Sequence, residues 1–260
     1  MATPTASASS CAYAAAALLG VYIVQSQKSF LAKSSSAAVK SGSLINTVAP
    51  LDKHVIVCGM GAAESWPGRL EEDRSSVLSR LAKVVADMQQ KREERKLSIK
   101  ITGSDEPNTM AGYTDVIVMP EQRMYRLNDE NITPFAQLLL MTDHKGNPPA
   151  PVPATTKFHD VDYPYKLLLV CSHTQRDKRC GKAGPLIIAK AKEILNGKEA
   201  DFKVHASSHI GGHEYAGTTI SYPQANWHGH ITPKVVGEVI EAMNAGTCVE
   251  RCFRGNSMQW

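Results

Sequence analysis

Aspartate and glutamate are absent from the chain before Asp52, and alanine and serine dominate that stretch. It also lacks an apolar run of membrane-spanning length: residues 11–24 are apolar but short, and Lys28, Lys33 and Lys40 follow. Arginine, a mark of mitochondrial presequences, is missing from it. Three readings of residues 1–52 stay open: an organellar targeting leader, a weak membrane anchor through residues 11–24, and a disordered tail. The first sends the protein to the mitochondrion or another organelle; the alternative location is the cytoplasm. None of them contributes to the fold.

Cysteine is scarce as well. Six irregularly placed cysteines in 260 residues do not make a disulfide scaffold. Free thiols beside nine histidines suit a reducing compartment and a metal site. The net charge is only +4, without the concentrated basic face of a nucleic-acid binder, so no nucleic acid is expected as a partner. A glycine-rich nucleotide motif, a catalytic triad and a substrate pocket signature are all missing. What is there, 43% hydrophobic and 21% charged residues, is the balance of a soluble protein with a core, long enough for two small domains.

Folded sequence is expected from residue 53. His54-Val-Ile-Val-Cys58 reads as a β-branched strand closed by Gly59 and Gly61. Leu70, Val77, Leu78, Leu81, Val84, Val85 and Met88 mark one apolar stripe of a helix running from Arg69. Residues 98–102 and 115–119 read as strands, and 133–141 as a short helix. Strands alternating with helices predict α/β layers. Asn147-Pro-Pro-Ala-Pro-Val-Pro153 carries four prolines and reads as an extended linker, residues 147–156. A second α/β unit follows over 157–260. In it residues 165–170 form a strand delivering Cys171, a helix starts at Gly184-Pro185, strands cover 202–206 and 218–222, Ile231 marks a further short strand, and a helix covers 233–245 with Gly246 as its stop. This order is that of a thioredoxin-like unit. Each half opens with an apolar strand ending in cysteine, Cys58 and Cys171, so residues 53–146 read as a degenerate copy without the chemistry.

The chemistry gathers in two segments. Cys171-Ser-His-Thr-Gln-Arg-Asp-Lys-Arg-Cys180 places two thiols at the ends of a strand-to-helix loop, and His209-Ile-Gly-Gly-His213 places two imidazoles in a second loop. Gly211 and Gly212 argue against helix there, and Ile210 stands where a zinc protease has its glutamate. Two thiols and two imidazoles suit Zn²⁺ or an iron–sulfur centre rather than Mg²⁺ or Ca²⁺. Spacing alone leaves both open, because Cys₂His₂ is also a closed structural zinc set.

With the segments Gly212-His-Glu-Tyr-Ala-Gly217, Tyr222-Pro223, Trp227-His-Gly229 and Thr232-Pro233, the pattern resembles the sucrase/ferredoxin-like family. His54-Val-Ile-Val-Cys58-Gly59 and Trp66-Pro67 extend the resemblance, more loosely, into the first half. The resemblance implies a thioredoxin-like ferredoxin domain with a [2Fe–2S] cluster on Cys171, Cys180, His209 and His213, and an electron-transfer protein rather than an enzyme. Imidazole in place of thiolate removes negative charge, so such a centre is reduced more easily than an all-cysteine one, and a ring proton couples its reduction to pH. Arg176, Lys178, Arg179 and Lys182 would steer an acidic redox partner. Two alternatives remain: a structural zinc or protein-interaction module, and a thiol-redox quality-control factor. Despite the family's label, no carboxylate pair suggests sucrose hydrolysis.

The other candidates have plainer readings. His173 is expected beside the ligands rather than among them, and His205 as structural. His228 and His230 form a His-x-His unexpected in the family pattern, read as a loop near the cluster, with an extra or substitute ligand as the open alternative. Cys58 is expected to be a buried small hydrophobe, and Cys248 and Cys252 ordinary thiols. Trp260 at the terminus resembles a tail read by the iron–sulfur assembly targeting machinery.

Overall fold

A computed structural model describes residues 44–93, 96–141, 158–198 and 200–258. The candidate leader up to residue 43, the proline-rich stretch 147–156 and Trp260 lie outside the described residues.

Two five-stranded sheets repeat one plan. In the first, β1 (Lys53–Val57), α1 (Val77–Gln90), β2 (Ile99–Gly103), β3 (Thr114–Met119), β4 (Arg123–Leu127), α2 (Ile132–Met141) and β5 (His159–Asp162) form a sheet of order β2-β1-β3-β4-β5. The second has β6 (Lys166–Cys171), α3 (Lys178–Ile194), β7 (Phe202–Ser207), β8 (Thr219–Tyr222), β9 (Asn226–His228), α4 (Val236–Ala245) and β10 (Phe253–Asn256), ordered β7-β6-β8-β9-β10. In both, the first two strands are parallel across a helix and the next are antiparallel. This is the thioredoxin-like βαβ-ββα unit with one added edge strand. The likeness extends to a turn: each third strand ends in a cis X–Pro bond, Met119–Pro120 and Tyr222–Pro223, followed by a left-handed residue, Gln122 (φ 50°) and Ala225 (φ 54°).

Strand periodicity sorts the side chains into layers. Val55 and Val57 face α1 and α2, where Leu78, Leu81, Val85, Phe135 and Leu139 close a core. Leu168 and Val170 face α3 and α4, against Ile187, Ala191, Val239 and Ile240. The alternate residues, Ile56 and Cys58 from β1 and Leu167, Leu169 and Cys171 from β6, meet in one apolar cluster between the two sheets. The edge strands β2 and β7 join at their ends: Ser104 bridges Ser207, Ser208 N donates to Gly103 O at 2.8 Å, and Gly103 N donates to Ser208 Oγ at 2.9 Å.

Several expectations shift. The first helix begins at Val77, not Arg69, because Ser76 caps it by accepting from Ser79 N, leaving Leu70–Glu72 as a separate 3₁₀ turn. The third helix begins at Lys178 with Asp177 as its cap, so Pro185 lies inside it rather than at its start. Ile231 is not in a strand; the short strand there is β9, and α4 starts at Val236. Three strands were not anticipated: β4 and β10 carry charged residues and are only partly buried, and β5 is exposed throughout, so their hydrophobic alternation is weak. Ordered contacts also precede residue 53, with Thr47 N and Leu51 N donating to Arg254 O and Ser257 O.

His54 lies fully buried and joins the sheets: Nδ1 is 2.6 Å from Tyr222 Oη and Nε2 is 2.8 Å from Thr102 Oγ1. Burial, with Lys100 adding, holds its imidazole down at about 3, against 6.5 when free. The folded state therefore keeps it neutral while the unfolded chain takes up a proton below 6.5, so its stabilisation is lost as pH falls from about 6.5 toward 3. Urea titrations between pH 7 and 5 should show stability falling by up to about 1.4 kcal/mol per pH unit from this group. In His54→Gln that slope should shrink; an unchanged slope would mean His54 is not the group responsible.

Candidate metal centre

Cys171 ends β6 and pairs in register with Ser207, the last residue of the parallel strand β7. The chain then passes Ser208, anchored to Gly103, and reaches His209. Cys180 comes from the first turn of α3, where Asp177 Oδ1 accepts from Arg179 N at 2.9 Å. The helix can lie this close to β6 because Gly184 has no side chain; a Cβ there would sit 2.6 Å from Cys171 O. Both sulfurs belong to fully buried residues.

The electrostatics separate the two thiols. Cys171 is held well below the usual thiol range, chiefly by the Cys180 thiol beside it, with the His209 imidazole and the backbone N–H groups of Ile210 and His173 adding, against the opposing effect of burial. Cys180 is pushed up, first by Cys171 and then by burial. Of the two, Cys171 is therefore the one whose thiolate is favoured. The first half shows the reverse at the equivalent position. Cys58 N donates to Asp115 O at 2.9 Å, just as Cys171 N donates to Thr218 O at 3.0 Å. Burial pushes Cys58 up, and Glu106, Asp115 and Asp105 push it further. One copy surrounds its cysteine with carboxylates and keeps the thiol; the other surrounds it with donors and favours the thiolate.

His209 and His213 flank a tight loop in which Gly211 (φ 97°) and Gly212 (φ 67°) are left-handed, so the segment cannot be helical. Their ring centroids are 5.4 Å apart. His209 is half-buried, and its Nδ1 is buried without a hydrogen-bond partner. His213 is exposed and borders a groove of about 740 Å³ that runs between Pro67, Arg69, Gln175 and Arg176. Among the described residues, no three His, Cys, Asp or Glu side chains are gathered closely enough to hold one metal ion. The four expected ligands instead form two pairs, Cys171 with Cys180 and His209 with His213, meeting where His209 lies beside Cys171.

Residues 44–255 match the sucrase/ferredoxin-like family. The chain belongs to that family. Altered inheritance of mitochondria protein 32 from Debaryomyces hansenii is 30% identical over 230 residues, covering 78% of this chain and 81% of the relative. Its counterpart from Clavispora lusitaniae is 29% identical, over 82% of this chain and 84% of the relative. The chain is also similar to the thioredoxin-like [2Fe-2S] ferredoxin from Aquifex aeolicus, at 16% identity and a TM-score of 0.31, over 34% of this chain and 95% of that one.

In this member of the sucrase/ferredoxin-like family, His173 holds the ligand loop. Its Nε2 donates to Pro67 O at 2.7 Å, and its Nδ1 accepts from His209 N at 3.3 Å. Trp66 meets it edge-on at 5.7 Å and is itself fixed by Nε1 donating to Met60 O at 2.7 Å. Trp66 and Pro67 of the first half thus set the backbone of a candidate ligand in the second. The His-x-His pair diverges: His228 is buried on β9, while His230 is exposed, left-handed (φ 57°) and edge-on to Tyr215 at 5.7 Å. His205 binds Asp105 at 3.2 Å. Cys252 is buried; Cys248 is half-buried and pushed up to about 11 by burial and Glu250, which keeps it a thiol. Among the described residues, no helix is long and apolar enough to cross a membrane.

Sequence reasoning missed two cations near the site, Lys100 and Arg254. The only signal of Arg254 is Gly212, where a Cβ would lie 2.5 Å from the guanidinium carbon. His173→Ala should destabilise the protein by about 1–3 kcal/mol in urea unfolding, since it leaves the Pro67 carbonyl and His209 amide unpaired. A loss under about 0.5 kcal/mol would show that this link carries no weight.

Proposed function

We propose that this sucrase/ferredoxin-like protein is an electron carrier whose Cys171, Cys180, His209 and His213 hold a [2Fe–2S] cluster. The observation that carries the reading is the pairing of two buried thiols, one poised as thiolate, with a buried, unpartnered imidazole nitrogen beside them. Such a donor set fits a soft, positively charged iron centre, and two pairs of donors suit two irons. The cluster would supply a single reversible electron.

The chain's own residues do the rest. The intersheet cluster, with Ile210, Met258 and Trp227, excludes water from the cysteine side. His173 and Ser208 fix the backbone of the loop that carries both imidazoles. His213, open to solvent, can exchange the proton of its free ring nitrogen with water as charge changes beside it. Exposed Arg176, Lys178 and Arg179 near that opening suit an acidic redox partner. The relatives carry a name that refers to inheritance of mitochondria, and we place the function there.

Anaerobically purified protein should contain about two irons per chain, with visible charge-transfer bands and a paramagnetic signal on reduction. Cys171→Ser should lose most of the iron. The midpoint potential should fall as pH rises, approaching ~59 mV per unit, the value for one proton per electron. One zinc per chain and no iron would replace the reading with a structural metal site. Thiol exchange with a partner that survives His209→Ala and His213→Ala but not Cys171→Ser would replace it with a thiol-redox function.

A further inference from the structure

Arg254 on β10 is buried to 3% exposure, yet no carboxylate pairs with it among the described residues. Its Nε and one Nη donate to Thr47 Oγ1 and Thr47 O, both at 3.0 Å, while Nη1 is buried with no partner. The guanidinium lies over Tyr215, 4.8 Å from the ring centroid, and 5.9 Å from that of Trp227. It presses on the backbone of the ligand loop at Gly212, where a Cβ would meet Nη1 at 2.5 Å. Burial holds its guanidinium below the usual range, outweighing the opposing effects of Tyr215 and exposed Glu214.

A second cation sits over the same indole. Lys100 Nζ on β2 is 5.8 Å from the Trp227 centroid, and the lysine is likewise without an ion pair among the described residues. It feels both the Cys171 sulfur and Arg254. Trp227 itself packs in the apolar cluster that contains Cys171, Cys180 and Ile210. Two largely desolvated positive charges without carboxylates are costly unless negative charge stands opposite them. For Lys100 the negative charge that acts on it is that of Cys171, which shares the apolar cluster of Trp227.

Resting on the [2Fe–2S] reading, we infer that Lys100 is the counter-charge of the thiolate-bound centre, and that Arg254 positions the His209–His213 loop through Gly212. Lys100 comes from the first half, so the copy without ligands contributes charge to the centre of the other. Adding an electron adds negative charge, and fixed cations nearby favour the reduced state.

The test is the midpoint potential of Lys100→Gln and Arg254→Lys, measured with iron content and the reduced paramagnetic spectrum. Lys100→Gln should keep its iron and its spectrum while the reduced-to-oxidised ratio at fixed potential drops roughly tenfold, ~59 mV for one electron; Lys100→Arg should restore it. Arg254→Lys keeps the charge but loses the planar fork, so its potential should stay near wild type while the spectrum shifts as the imidazole loop relaxes. An iron-replete Lys100→Gln with unchanged potential overturns the counter-charge assignment and leaves the cluster reading intact. An unchanged Arg254→Lys spectrum overturns the positioning role. Wild-type protein without iron overturns the cluster reading, and the counter-charge inference with it.

Discussion

The dry contact between the two sheets is the constraint on which the rest of the site depends. Strand alternation sends Ile56 and Cys58 from one sheet and Leu167, Leu169 and Cys171 from the other into a single apolar layer. Without that layer Cys171 would face water, where the donors around it would compete with solvent. Within it, each nearby N–H, imidazole and cation acts in a low dielectric and counts for more. The same contact makes buried polar groups costly. His54 therefore spans the interface fully bonded to Tyr222 and Thr102, and Ser208 is tied to Gly103 through both its backbone and its hydroxyl.

The two halves share one plan and differ at one cysteine. Both halves have the same strand order, the same parallel-then-antiparallel pairing and the same turn after the third strand. They differ in what surrounds the cysteine after the first strand. Burial, with the carboxylates of Glu106, Asp115 and Asp105 adding, pushes the Cys58 thiol up, whereas Cys180, His209 and backbone amides favour the thiolate of Cys171. The first copy still serves the second. Trp66 and Pro67 position His173, and Lys100 brings a cation over the Trp227 ring.

Much of this is legible in the residue order because the strongest signals are local. The strands at Val55 and Leu168 are apolar and β-branched or leucine-rich, and the left-handed glycines 211 and 212 exclude a helix between the two histidines. The neighbourhood of Cys171 and Cys180 follows from a short connection between one strand and the helix beside it. What escaped is set by tertiary contact. The strands β4, β5 and β10 are held by their neighbours' hydrogen bonds rather than by alternation of their own. The start of α3 at Lys178 turns on the Asp177 cap, which outweighs the expectation raised by Gly184 and Pro185. Arg254 approaches Gly212 from forty-two residues away, so no spacing rule reveals it.

The account turns on imidazole as well as thiolate holding the centre. Pulsed paramagnetic resonance on the reduced protein, grown with ¹⁵N-labelled histidine, tests this most directly. Couplings to two histidine nitrogens, one lost in His209→Ala and the other in His213→Ala, are the predicted result. A reduced spectrum with no histidine nitrogen coupling would contradict it.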